Sequence, residues 1–195
     1  MILKLIESIS LIIASFTAIY GISAWRREYR GKKEYDLAEE VLYLFYESRD
    51  RIRTIRNLFS QVVEIKRKNG HPNETKVQRD LLVDIYRKHQ EVFNKLHALR
   101  YRFMVLFGED KVKPFNDLRS IINDISYAAE RMPLYRDWEK DELKEEEESK
   151  KCQKKMYELE SILYGTFDEK DPIEIGVNEI ITNIDKICDK VIRRK

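Results

Sequence analysis

From Ser8 to Trp25 the run SISLIIASFTAIYGISAW carries no charged residue, and the basic cluster Arg26, Arg27, Arg30, Lys32 and Lys33 follows at once. A helix rises about 1.5 Å per residue, so Ile2 to Trp25 would extend roughly 36 Å, enough to cross a hydrocarbon core of about 30 Å. The pattern predicts a membrane helix over residues 1–25, a basic juxtamembrane segment over 26–33 and one helical bundle over 34–195. Only Lys4 competes with five basic residues on the other flank, so the bundle is expected in the cytoplasm of a single-pass protein of the inner (cell) membrane.

The predicted membrane helix has two unlike faces. Alternating steps of three and four from Glu7 give Glu7, Ser10, Ala14, Thr17, Gly21 and Ala24, all small or polar. The opposite face, with Ile9, Ile12, Ile13, Phe16, Ile19 and Tyr20, is large and mostly apolar. Lipid gives no reason to segregate small from large residues, whereas a neighbouring helix does, because small side chains let backbones approach. The stripe therefore predicts self-association, with lipid on the other face. A carboxylate in a membrane span usually faces a bundle interior or a water-filled cavity, so Glu7 in line with Ser10 and Thr17 would line a cation-attracting pore. Three other readings stand beside it: a plain anchor with Glu7 at its outer edge, a cleaved secretory signal, and a soluble protein hiding this helix in an oligomeric core. The basic cluster lies after the apolar run, which argues against the signal.

Beyond Trp25 the chain is long enough for one domain with its own core, and 37% charged residues with few Gly and Pro point to helices. No strand alternation stands out, and the fold class is all-α, a bundle of long antiparallel helices. One amphipathic helix is expected from Lys33 to about Lys68 on the stripe Ala38, Val41, Phe45, Ser48, Ile52, Ile55, Phe59 and Val62. NGHPNE, Asn69 to Glu74, reads as a turn. A second helix runs from about Thr75 to Phe107, with Gly108 as its stop, and a third opens at Pro114 and ends at Met132 and Pro133. The charged stretch Trp138 to Lys155 reads as a solvated helix face or exposed turn, with core contacts resuming at Cys152, Met156, Leu159 and Leu163. The last helix is announced by Asp171, Pro172 and Glu174, a cap, a first-turn proline and an early carboxylate. Ile173, Val177, Ile180, Ile184, Ile187 and Val191 then commit it to the bundle.

Catalytic signatures are missing. His71, His89 and His97 show no HExxH, ExxH or His-Asp pairing, so neither a zinc-peptidase nor a di-iron ligand set is present, and no cofactor is expected. Arg67 to His71 falls short of the spacing of helical-bundle ribonucleases of the HEPN type. Cys152 and Cys188 are single and far apart, and read as reduced core thiols. With no acid, base or nucleophile set to name, an enzyme is not expected.

A basic feature remains. Tyr46, Arg49, Arg53 and Arg56 fall within roughly 80° of one helix face. Arg51 can pair with Glu47 and Arg53 with Asp50, but Arg49 and Arg56 have no acid three or four residues away. Guanidinium groups beside a tyrosine suit phosphate contact and base stacking. Arg100 and Arg102, with Tyr101, would join this ladder if the two long helices are antiparallel. The competing expectation is that acids on other helices, such as those from Glu139 to Glu148, satisfy the arginines. A net charge of +2 is too small to argue for polyanion binding by the whole domain.

The run from Ala24 to Ser60 resembles a widespread set of bacterial single-pass membrane proteins with a WRR, a GK, a tyrosine-bearing helix start, and an RD followed by RN. Here those positions are Trp25, Arg26, Arg27, Gly31, Lys32, Tyr35, Arg49, Asp50, Arg56 and Asn57. The match covers about a fifth of the chain, and the remainder agrees in layout alone. In that layout the chain is similar to membrane effectors of bacterial anti-phage systems, notably the Hailong channel effectors, whose helical cytosolic domains respond to short DNA oligomers made by a partner nucleotidyltransferase. The resemblance implies a homo-oligomer, such as a tetramer, whose amino-terminal helices form a pore. It also makes the arginine ladder a nucleotide or oligonucleotide site. The expected function is a ligand-gated pore-forming effector; the alternative is a non-conducting anchored scaffold that recruits a protein partner.

Overall fold

The computed structural model describes residues 2–69, 74–139, 146–165 and 171–193, with side chains at all of these except 2–8, 63–69, 74–78, 136–139 and 146. Among them the chain is helical apart from short connections. It forms α1 (Ile2–Asn69), α2 (Glu74–Phe107), a single 3-10 turn (Glu109–Lys111), α3 (Lys113–Glu139), α4 (Glu146–Tyr164) and α5 (Pro172–Ile192).

The apolar amino-terminal run and the first bundle helix are one helix. Its 68 residues pass through Trp25–Lys33 without a break, and at about 1.5 Å per residue it is a rod of roughly 100 Å. Charge alone does not end a helix, and the segment contains no proline. Gly31 has no non-neighbouring atom within 4 Å of where a Cβ would stand, so it serves no close approach. Glycine there costs some helix propensity but does not stop propagation. The amphipathic helix expected to start at Lys33 is thus the distal part of α1.

The bundle is built on that distal part. α2 packs back along α1, α3 packs on α2, α4 lies on α3 and α1, and α5 fills the groove between α1 and α3. Every member of the predicted α1 stripe from Ala38 to Phe59 is buried, and Val62 is half-buried. Phe45 of α1, Phe103 of α2 and Phe115 of α3 meet at the centre. The Phe45 and Phe115 rings are 5.0 Å apart edge to face, and Phe103 lies 5.1 Å from Phe115 and 4.2 Å from Phe107. Such ring pairs contribute about 0.5–1.5 kcal/mol beyond their buried area.

Helix ends follow their local chemistry. Gly108 adopts φ 101°, a backbone region that L side chains rarely enter, and its N–H closes on the Met104 carbonyl at 2.9 Å. Asp171 caps α5, accepting from the Ile173 N–H at 3.0 Å and the Glu174 N–H at 3.4 Å, with Pro172 in the first turn. The expected core contacts of α4, Cys152, Met156, Leu159 and Leu163, are all buried. The turn expected across Asn69–Glu74 lies largely outside the described residues, as does the middle of the charged stretch.

One expectation is corrected. α3 does not end at Met132 and Pro133 but continues to Glu139 with Pro133 inside it. A proline within a helix removes one backbone hydrogen bond and crowds the carbonyl four residues back. Here Ala128, Ala129, Met132 and Pro133 are all buried, so packing on this face offsets that loss.

Candidate functional site

Two features stand out from the bundle: the uncovered proximal half of α1 and a polar seam between α1 and α5.

No described residue covers α1 from Ile9 to Ser23. Leu11, Phe16, Ile19 and Tyr20 are each more than 60% exposed, and a contiguous exposed apolar face of this kind marks a protein or membrane contact. Among the described residues this is the one helix long and apolar enough to span a membrane. On the small-residue face Ser10, Ala14, Thr17 and Gly21 are exposed and Ala24 is half-buried. The Glu7 side chain lies outside the described ones. Thr17 Oγ1 donates to the Ile13 carbonyl at 2.9 Å and Ser15 Oγ to Leu11 at 2.8 Å, so these hydroxyls are satisfied within their own helix. At the foot of the apolar run Trp25 stacks on Tyr29 with ring centres 5.6 Å apart, and the Lys33 ammonium sits 4.5 Å above the Tyr29 ring. Aromatic rings followed by cations are what a membrane–water boundary favours.

The arginine ladder faces α5. Tyr46 donates its hydroxyl to the Asp185 carboxylate, with oxygens at 2.8 and 2.7 Å. That bond, reinforced by burial and the negative charge around it, pushes the phenol pKa above its ordinary value. Arg53 pairs with Glu174. Arg56 is the most enclosed. Its guanidinium donates to both Asp171 oxygens and to the Ser161 and Ile162 carbonyls at 3.1 and 3.0 Å, gathering α1, the end of α4 and the start of α5 on one side chain. Arg49 reaches Asp50 at 3.3 Å and lies 5.2 Å from the Tyr46 ring centre. The expected Arg51–Glu47 pair forms at 3.0 Å, but Asp50 meets Arg49 in place of Arg53. Among the described residues the acids that meet the ladder are Asp171, Glu174 and Asp185 of the α5 segment, with Asp50 beside Arg49, while most of the stretch from Glu139 to Glu148 lies outside the described side chains.

The void enclosed by Arg49, Ile52, Arg53, Arg56, Ile173 and Glu174 is about 10 Å³, close to the minimum for a single water. No nucleotide fits within that void, while the Arg53 side chain stays 45% exposed at its edge. Arg100 and Arg102 do not extend it, because α2 flanks α1 and α3 while the seam opens toward α5. Arg102 instead approaches Glu40 at 3.7 Å. Arg100 has its Nε buried without a hydrogen-bond partner, its guanidinium 5.3 Å from the Tyr101 ring centre.

A pairing between two other helices was not foreseen from the sequence. On the α2–α3 side Arg119 Nη1 lies 2.7 Å from His97 Nε2, beside a cleft of about 150 Å³. Burial and the charges of Arg119 and Arg100 hold the His97 imidazole below its ordinary pKa. The available signal was local: Arg119 has no acid three or four residues away in its own helix. Among the described residues no group of His, Cys, Asp and Glu is arranged to hold a metal ion.

Comparison with protein-family models, with curated proteins and with solved structures found no match to this chain.

Proposed function

We propose that this chain is a single-pass membrane effector whose amino-terminal helices associate through the Ser10–Ala24 face into an ion-conducting pore, with the bundle on the cytoplasmic side. In this reading the protein acts in bacterial anti-phage defence, and a nucleotide or short DNA oligomer sets the packing of the bundle and so the state of the pore. The observation that supports it is the proximal half of α1: uncovered, divided into a small face and a large one, and continuous with the core helix of the bundle. Small faces bring membrane helices together. A continuous helix carries a change in bundle packing to the membrane without a flexible link between. A ligand shifts such an equilibrium only through its differential affinity for the two packings.

The test is the full-length protein in detergent, sized by light scattering, then reconstituted and assayed for ion flux with and without short DNA oligomers. Oligomers with ligand-sensitive flux are the expected result, and Glu7→Gln and Thr17→Leu should each abolish that flux while the protein still folds. Unchanged flux in both variants, or sealed liposomes from a well-folded oligomer, overturns the pore.

A second reading, an anchored scaffold without conductance, is favoured by the seam. Tyr46, Arg53 and Arg56 are engaged by α5, so they act in this packing as the clamp that closes the bundle. The scaffold predicts that exchanging residues 1–25 for an unrelated membrane helix preserves activity, whereas the pore predicts its loss.

A further inference from the structure

We infer that the cleft between α2 and α3 around His97 and Arg119 is a binding site for the phosphate group of a small solute. The inference is independent of whether α1 conducts.

The argument begins with charge that has no counter-charge. Arg30, Arg51, Arg53 and Arg56 each reach a carboxylate. Arg100 and Arg119 reach none among the described residues. Arg119, exposed on α3, spends one N–H on the neutral nitrogen of His97. Arg100, one turn beyond His97 on α2, keeps its buried Nε unbonded. Arg100 does not line the cleft, but its charge acts on His97 and adds to the positive field there.

The walls suit an anion. None of the residues lining the cleft is acidic. Phe93, Phe115 and Ile122 make an apolar floor, and the amides of Asn94 and Asn123 stand at its rim. A floor of low polarity strengthens the attraction between a guanidinium and an anion held above it. The volume of about 150 Å³ accommodates a phosphoryl group and part of whatever carries it. A phosphate offers acceptors only, which matches a rim of arginine, amide and imidazole N–H donors.

His97 gives the site a second mode. While it accepts from Arg119 its Nε2 carries no proton. A phosphate that takes over the Arg119 N–H frees that nitrogen, and a proton from solvent then converts His97 into a further donor facing the anion. Binding should therefore raise the proton affinity of His97.

The experiment uses the full-length protein in detergent micelles with 13C-labelled histidine, titrated with inorganic phosphate and separately with adenosine 5′-monophosphate. His97→Gln assigns the resonance. The expected result is a saturable shift of His97 but not His89, a rise of about one unit in the His97 pKa at saturation, and affinity reduced about tenfold or more by Arg119→Gln. Arg119→Lys, which keeps the charge, should retain part of the affinity, and Arg102→Gln, whose partner is Glu40, should leave it unchanged. Tighter binding of the nucleotide than of inorganic phosphate supports the site with a nucleotide as its ligand; equal affinity supports it with a free phosphate. No saturable His97 shift with either probe, or shifts that persist undiminished in Arg119→Gln, overturns the inference.

Discussion

Arg56 of α1 donates to both carboxylate oxygens of Asp171, and one of those oxygens also accepts the Ile173 and Glu174 N–H groups at the start of α5. One aspartate thus caps a helix and neutralises a guanidinium that is almost wholly enclosed. Removing it strands a buried charge and uncaps α5 together. Asp171→Ala is expected to destabilise the bundle by about 3 kcal/mol. Asp171→Asn keeps an acceptor for the cap and should cost less. Urea unfolding followed by circular dichroism checks both, and a cost for Asp171→Ala within error of zero would remove this contact as the fastening of α5.

Ser48 is fully buried on the core face of α1, with its hydroxyl unpartnered. Desolvating a hydroxyl without a hydrogen bond is unfavourable, and alanine fills nearly the same space. Ser48→Ala should raise stability by about 1 kcal/mol, read as a higher urea midpoint at an unchanged slope.

Burial and nearby cations hold the imidazoles of His89 and His97 below their ordinary value of 6.5. The unfolded chain therefore binds protons that the folded one resists, and stability declines as pH falls through about 6.5. Denaturation midpoints should drop between pH 7.5 and about 5.5. His97→Gln should flatten part of that slope; an identical slope in the variant would show that His97 contributes nothing to it.

Cys188 is fully buried, and burial with the charges of Asp185 and Asp189 pushes its thiol pKa up to about 12. The thiolate is the reactive form. A maleimide at neutral pH should leave Cys188 unmodified in the native protein and label it promptly on unfolding. Mass spectrometry after timed quenching distinguishes the two, and rapid native labelling would mean that α5 opens far more often than its seam suggests.

Local chemistry was the legible part of the fold. The Asp171–Pro172 cap, the Gly108 stop and the apolar stripe from Ala38 to Phe59 each depend on residues within a turn or two of one another. Pro133 misled for the same reason: its cost is local, while the burial that offsets it comes from other helices. The partners of Tyr46, Arg53 and Arg56, which are Asp185, Glu174 and Asp171, lie more than a hundred residues away. Spacing within α1 could show a missing acid but could not say which helix supplies one. His97 was weighed only as a metal ligand, and its pairing with Arg119 escaped notice, because only the packing of α2 against α3 brings the two together.

The unbroken course of α1 also settles an angle. Each residue of an α-helix advances about 100° around the axis, so the azimuth of the Ser10–Ala24 face relative to the Ala38–Phe59 face is counted out by the residues between them. One residue inserted between Trp25 and Lys33 would swing the two faces about 100° out of phase, while seven would return them to within about 20°. Activity that fails with one added residue and recovers with seven would show that this rod works as a keyed shaft, transmitting orientation as well as distance.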